Sequence, residues 1–334
     1  MRVALLAGSY PPDDCGVGDY SGRLVEALRA LGIEVEVLTR GAWSLGAAPS
    51  VLRSIRAARP DLLHAQYPSV GFGASLAPQA IVALSRAPAL VTLHEFSQAR
   101  LPRKLAIFPF AARARALVFT SDDERAACRR WYPWVSRDAA VIPIGSNIPA
   151  AAGIARRPRT LAYFGLVRPG KGLEAFLAAA RELRREGFEV RVVGSPDPRH
   201  RDYHAALRAD PANAGLTWLA GLDPAAVAAE LSAARFAYLP FPDGASARRG
   251  SLLAAMTNGC AVVTTRGAHT TDDLAAAVAA APTPADAVAE LKRLAADPGA
   301  VETLSARGRA YAARGGWRAI AEAHVALYER LLAR

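Results

Sequence analysis

Short runs of consecutive apolar residues alternate with amphipathic stretches from one end of this chain to the other. Residues 3–7, 35–39, 62–66, 90–94, 117–120 and 141–143 form a first set of runs, and 161–164, 190–193, 216–219, 236–239 and 261–264 a second. They are mostly apolar instead of strictly alternating, as strands covered on both faces should be. Between them, 21–31, 122–131, 173–186, 224–233 and 251–258 read as helices, the clearest apolar face being Leu173, Phe176, Leu177, Ala180 and Leu183. Strand and helix in alternation, twice over, predict an α/β protein with two doubly wound, Rossmann-like parallel sheets. Residues 145–159, rich in Pro, Ala, Gly and Arg and without clear periodicity, mark the junction. The predicted domains are therefore 1–148 and 149–315, followed by a helix over 316–334 that packs near the junction and can dock on either. A length of 334 residues fits two cores better than one. Ligands of such sheets bind beyond the carboxyl ends of the strands, so two facing sheets predict a site in a central cleft, lined by the loops that follow the strands.

The most informative of these loops is Gly165-Leu166-Val167-Arg168-Pro169-Gly170-Lys171-Gly172, between a strand and a helix. Glycines let backbone approach a ligand, and a helix N-terminus offers free N–H groups. Arg168 can grip two oxygens at once and Lys171 adds a mobile point charge. The loop reads as a seat for a phosphate or diphosphate; the plainer reading is a solvated turn with ordinary surface charge. A second loop carries Asp243, Arg248, Arg249, Gly250 and Ser251 ahead of a helix that Ser251 is suited to cap. Arginines at a positive helix end are unfavourable unless an anion sits there.

In the first domain, Gly16 and Gly18 resemble part of the dinucleotide fingerprint, but the loop is too long and Ser21 stands where a glycine belongs, which disfavours a nicotinamide site. Asp19 beside them either caps the helix or touches a substrate. His94 and Glu95 stand where a buried strand emerges, whereas His64, inside a strand, reads as a satisfied core residue. His200 and His204 are four apart, but Arg201 takes the place a zinc protease gives to glutamate, so no metal site is expected there. Asp-x-Asp is absent from the sequence. Arginine, lysine and helix N-termini are left to neutralise any phosphates.

The net charge of +11 suggests a polyanion partner, yet the excess is spread evenly: 17 basic and 12 acidic residues in 1–150, 24 and 18 in the rest. With no zinc-finger, RNP-type or basic-zipper pattern, nucleic acid is not an expected partner. Arginine and alanine dominate as a GC-rich bacterial genome would have it. Three distant cysteines form no CxxC pair, the opening apolar run is too short for a signal peptide, and no run reaches the length of a membrane span. A cytoplasmic location is expected. One stretch, 98–115, places Arg100, Arg103, Lys104, Arg113 and Arg115 around an apolar centre. It fits weak peripheral contact with the inner face of the membrane, or else a core helix with solvated arginines.

Taken in order, these segments resemble the retaining glycosyltransferases of family four, which have the GT-B fold. Phe164-Gly165 through Arg168-Pro169 to Lys171-Gly172 is similar to that family's FGxxRPxKG segment, Gly16-Val17-Gly18 to its glycine loop, and Thr92-Leu93-His94-Glu95 to its strand-end histidine motif. Val141-Ile142-Pro143-Ile144-Gly145 resembles its VIPNGVD segment with Ile144 in place of asparagine, and residues 317–321 and 327–329 its closing helix. The resemblance implies a sugar transfer from a nucleoside-diphosphate donor with retention, no metal and no cofactor. Arg168 and Lys171 would hold the donor diphosphate, His94 would contact the donor sugar, and Gly16 and Gly18 would approach phosphates and acceptor, with Asp19 and Glu95 on the acceptor side. Gly165, Gly194 and Leu222 would line the nucleotide, UDP or GDP, and residues 145–159 would be a hinge.

One departure stands out. The family has two glutamates separated by seven residues; matching Leu253-Ala254-Ala255-Met256 to its Leu-Glu-Ala-Met places Ser246 and Ala254 at those positions. Asp243 and Ser251 are the expected substitutes. The leading expectation is a glycosyltransferase acting on a small-molecule, glycan or lipid acceptor; the alternative is a degenerate relative that binds a nucleotide or sugar phosphate without transfer.

Overall fold

A computed structural model describes residues 1–13, 15–137 and 139–333. The chain divides into two compact units, Met1–Gly145 with Gly316–Arg334, and Ser146–Gly315. The first unit holds β1 (Arg2–Ala7), β2 (Glu34–Leu38), β3 (Leu62–Tyr67), β4 (Ala89–Leu93), β5 (Ala116–Phe119) and β6 (Ala140–Val141). All pair in parallel, in the order β2-β1-β3-β4-β5-β6. Its helices are α1 (Gly16–Ala30), α2 (Ala48–Ala58), α3 (Ala77–Leu84), α4 (Leu101–Ala106), α5 (Phe108–Arg113) and α6 (Asp122–Trp131). Side chains alternate across a strand, and here both faces are covered. Leu63, Ala65, Val91 and Phe119 enter one apolar layer, while Leu5, Leu62, Leu90 and Val118 enter the other. That double burial is why the runs show no polar alternation.

The second unit repeats the plan with β7 (Arg157–Phe164), β8 (Glu189–Val193), β9 (Thr217–Leu219), β10 (Ala234–Leu239), β11 (Ala261–Thr264) and β12 (Ala279–Ala280). Its parallel order is β12-β11-β10-β7-β8-β9. Helices α7 (Leu173–Arg185), α8 (Arg201–Ala209), α9 (Pro224–Ala233), α10 (Gly250–Thr257), α11 (Asp272–Ala275), α12 (Pro284–Ala296) and α13 (Pro298–Ala313) complete it. The face predicted for α7 is the buried one: Leu173, Phe176, Leu177, Ala180 and Leu183 are all core. Local signals start several helices. Asp223 accepts from the Ala226 N–H ahead of α9, and Thr283 with Asp286 forms a capping box ahead of α12.

The closing helix, α14 (Trp317–Leu332), groups with the first unit, where Ile320, Leu327, Tyr328 and Leu331 join the layer that also holds Leu24 and Leu28 of α1. Each of the eleven predicted runs overlaps a strand. The twelfth strand, β12, has two residues, too short to leave a periodic signal.

Two helix starts differ from expectation. Residues 16–18 were expected in a loop, with the helix from residue 21 and Asp19 a candidate cap. Instead α1 begins at Gly16, Cys15 is the N-cap, and the Asp19 N–H already donates to the Cys15 carbonyl at 2.9 Å. Gly18 makes the early start feasible, because a Cβ there would lie 3.2 Å from the Ser9 carbonyl group. Ser251 does not cap α10 either. The helix starts one residue sooner, with Arg249 at the N-cap and its carbonyl accepting from Leu253 N at 3.0 Å.

Candidate active site

In the second unit, the loops after β7, β8 and β10 are fitted together through positions that tolerate no side chain. Gly172, the N-cap of α7 at φ 77°, faces Pro240 so closely that a Cβ would sit 1.8 Å from its carbonyl oxygen. A Cβ on Gly194 would sit 1.9 Å from the carbonyl oxygen of Gly165. Val167 at 0 % exposure anchors the loop after β7; its N–H donates to Ser195 O at 2.9 Å, and its carbonyl accepts from Asp197 N at 3.1 Å. Tyr163 donates its hydroxyl to the Lys171 carbonyl at 3.0 Å, fixing the turn just before the helix. The glycines and the buried tyrosine and valine thus hold Arg168 and Lys171 on a rigid support.

The charges on that support are unbalanced. Lys171 is half-buried, and desolvation first, then the like charges of Arg168 and Arg249, lower its pKa below the usual lysine value, with Asp243 working against them. Arg249 is ion-paired with Asp243, and its guanidinium lies over the Phe241 ring, 4.8 Å from the centroid. Its Nε is buried and makes no hydrogen bond. Asp243 therefore relieves part of the conflict that two arginines ahead of α10 create, a role the sequence did not suggest. Arg168, Lys171 and Arg249 thus share one carboxylate, Asp243, beside two helix N-termini without side-chain caps, the first with Glu174 in its opening turn. Such a place favours an anion.

The other residues expected on this side fall into two groups. Arg248, Gly250 and Ser251 flank the start of α10. Gly194 follows β8, and Leu222 follows β9; the Gly221 N–H donates to Ser195 Oγ at 3.0 Å and ties these two loops together. Phe241, Tyr163 and Ser195 have supporting parts that no motif pointed to. Ser246 and Ala254, the positions matched to the two glutamates, are buried, with exposures of 7 % and 0 %.

In the first unit, His94 directly follows β4, and its N–H donates to Tyr67 O at 2.8 Å. The parallel pairing of β3 and β4 sets Gln66 beside Thr92. Strand alternation then puts His64, Gln66, Thr92 and His94 on one face, the face covered by α1 and α14. Gln66 Oε1 is 2.8 Å from His94 Nε2, and Gln66 Nε2 is 3.0 Å from His64 Nε2. His64 also meets Thr92 Oγ1 through Nε2 and the Tyr328 hydroxyl through Nδ1, each at 2.7 Å. The Tyr20 ring stands edge-on to the His94 ring with centroids 4.7 Å apart. Desolvation, and then the neighbouring His324, push His94 down to about 3, so its imidazole is neutral at pH 7.

Gly16 is exposed at the start of α1, with Asp19 in its first turn, and Glu95 is half-buried next to His94. The carboxylate that shapes the loop beyond His94 is a different one. Glu124, fully buried on α6, accepts from the Phe96 and Ser97 N–H groups at 2.5 and 2.9 Å and from Ser97 Oγ at 2.6 Å. A glutamate in the first turn of a charged helix offered no sign of that task.

Two six-stranded parallel sheets of this topology define the GT-B class. Solved structures of the same fold include a sucrose-phosphate synthase from Thermosynechococcus elongatus, 20 % identical with a TM-score of 0.76, covering 100 % of this chain and 99 % of that one. A glycosyltransferase from Rickettsia africae is 11 % identical with a TM-score of 0.77 and coverages of 99 % and 98 %. HepE from Anabaena, solved in complex with UDP-glucose, is 15 % identical with a TM-score of 0.69 and coverages of 100 % and 100 %. Residues 158–297 match the family described as glycosyl transferases group 1, and residues 40–148 match Glycosyltransferase Family 4. One match falls on each unit, and together with the shared fold they support a group 1 glycosyltransferase. A comparison with curated proteins finds no match.

Proposed function

We propose that this glycosyltransferase moves a hexose-type sugar from a nucleoside-diphosphate donor, UDP or GDP, to a small-molecule, glycan or lipid acceptor, with retention and without a metal. The observation that carries the reading is the cation group Arg168, Lys171 and Arg249, set on a rigid support at the strand ends of the second unit. As the bond to the sugar breaks, negative charge grows on the departing diphosphate, and preorganised cations stabilise it more than they stabilise the bound donor. In this reading that neutralisation falls to the arginines and the lysine. His94, held neutral, presents its imidazole to the donor sugar, and the backbone near Gly194 and Leu222 reads the base. HepE, the Anabaena protein of the same fold, is a complex with UDP-glucose, which fits a UDP donor here.

The test is incubation with UDP-glucose, GDP-mannose, ADP-glucose and dTDP-glucose, following both hydrolysis and thermal stabilisation. Slow hydrolysis of one of them, with stabilisation by the matching nucleotide diphosphate, is the expected result. Stabilisation without hydrolysis by any sugar would instead establish the binding protein that the residues Ser246 and Ala254 leave open.

A specific surface favours work at the inner face of the membrane. Ile107 and Phe110 are core, as a plain core helix would have it, but Leu101, Leu105 and Phe108 on the same segment are all more than half exposed. Phe108 lies 6.5 Å from the exposed Trp134, and the Lys104 ammonium is 5.6 Å from the Trp131 ring centre. Exposed tryptophans and aliphatics on segments that also carry Arg100, Arg103, Lys104, Arg129 and Arg130 suit the boundary of an anionic bilayer. No helix among the described residues is long and apolar enough to cross a membrane. We expect the protein to sediment with phosphatidylglycerol vesicles at low salt, less so at high salt or with phosphatidylcholine alone. Absence of binding at low salt would remove this reading.

A further inference from the structure

The row of polar side chains behind His94 has one member whose only evident task is to hold another. Gln66 is fully buried and spends both ends of its amide on histidines: the nitrogen on His64, the oxygen on His94. An amide nitrogen only donates. His64 Nε2 must therefore accept, from Gln66 and from the Thr92 hydroxyl at once, which puts the His64 proton on Nδ1, pointed at the Tyr328 hydroxyl. The Gln66 oxygen only accepts, so His94 must carry its proton on Nε2. The lone pair of His94 Nδ1 is then left as an acceptor, on a ring whose second constraint is the edge of Tyr20.

We propose that Gln66 is a positioning residue that fixes the ring orientation and the Nε2–H tautomer of His94, itself locked by His64, Thr92 and Tyr328 of the closing helix. The inference rests on the reading of His94 as a donor-sugar contact. With this tautomer His94 accepts a hydrogen bond from a sugar hydroxyl; with the other it would donate. A single buried amide thus sets which polarity of group the histidine can recognise. Tyr328 joins α14 to the same chain of hydrogen bonds, so the closing helix reaches the histidine by a route of four side chains.

The test combines spectroscopy with a double-mutant cycle. In ¹⁵N spectra of the whole protein at pH 7, His94 should show the Nε2–H tautomer with a slowly exchanging proton, and Gln66→Leu should lose that slow exchange. Gln66→Glu, which keeps an acceptor toward His94, should retain it, so a leucine variant that misfolds leaves the inference testable. Hydrolysis of the nucleotide sugar selected above should fall about tenfold or more in kcat for Gln66→Leu, with KM little changed. In a His94→Ala background the same substitution should have no further effect, because a residue that acts through His94 has nothing left to position. An Nδ1–H tautomer in the native protein, or an equal loss from Gln66→Leu in both backgrounds, would overturn the inference. If His94→Ala alone leaves hydrolysis intact, the donor-sugar reading fails, while the spectra still decide whether Gln66 holds the ring.

Discussion

Lys171→Ala is expected to lower sugar transfer by about 100-fold or more, the scale of removing one preorganised donor from a developing anion, while leaving the protein as stable as before or slightly more so. The two halves of this expectation come from the same geometry. Burial and the neighbouring Arg168 and Arg249 make the charged lysine unfavourable in the unliganded protein, as its lowered pKa records. Removing it relieves repulsion at rest and removes attraction in the transition state. A structural lysine would behave in the opposite way, losing stability before activity. Arg168→Ala should match it in turnover, with Arg168→Lys recovering only part because one ammonium cannot span two phosphate oxygens. Diphosphate affinity should also fall as pH rises through the lowered pKa, since the bound anion favours the protonated lysine. Turnover above a third of the native value in Lys171→Ala, measured beside an unchanged melting curve, would take the diphosphate away from this loop.

The sheets were legible because their signal is local: a strand buried on both faces is apolar at most positions, and 3–7 and 161–164 are apolar at all of them. The charged half of the candidate site was legible for a similar reason. Arg168 and Lys171 sit in a turn whose glycines are required by contacts such as Gly172 against Pro240, and those contacts leave a trace in sequence. What stayed hidden depends on distant partners. Asp243 bonded to Arg249, six residues on, is readable only once the turn between them is known. Glu124 and Tyr328 reach their partners across 28 and 264 residues, and nothing near either in sequence announces them. Helix starts failed for a local reason of another kind. Ser251 and Asp19 are good capping residues, but packing at Gly18 and the turn closed by Arg249 N on Ser246 O place the first helical residue ahead of them. Capping preference amounts to only about 1 kcal/mol, which tertiary packing readily outweighs.

The same distant contacts make acid the condition to which the first unit should be most sensitive. His64 and His324 are fully buried, desolvation holding the first well below 6.5 and the second at about 4, and His94 lies at about 3. Each is neutral when folded and takes up a proton at about 6.5 when unfolded. Their contribution is therefore complete above pH 6.5 and is lost as the pH falls from there through the folded values. Two fully buried histidines alone give a slope approaching 3 kcal/mol per pH unit in the lower part of that window. In the second unit Asp197, held at about 2 chiefly by its hydrogen bond from Arg199, begins to lose its contribution only below about 3.8, and the lowered histidine there, His204, is only partly buried. Tryptophan fluorescence of a Trp218→Phe variant reports on the first unit alone, because Trp43, Trp131, Trp134 and Trp317 lie there while Trp218 lies in the second, against His204. A transition between pH 6 and 4 is expected, shallower by about one proton in His324→Phe. This replacement is mild because His324 Nε2 has no hydrogen-bond partner and only Nδ1 is used, on Ile320 O at 2.8 Å. Fluorescence unchanged down to pH 4, or a His324→Phe transition as steep as the native one, would mean that the buried histidines do not set the acid limit.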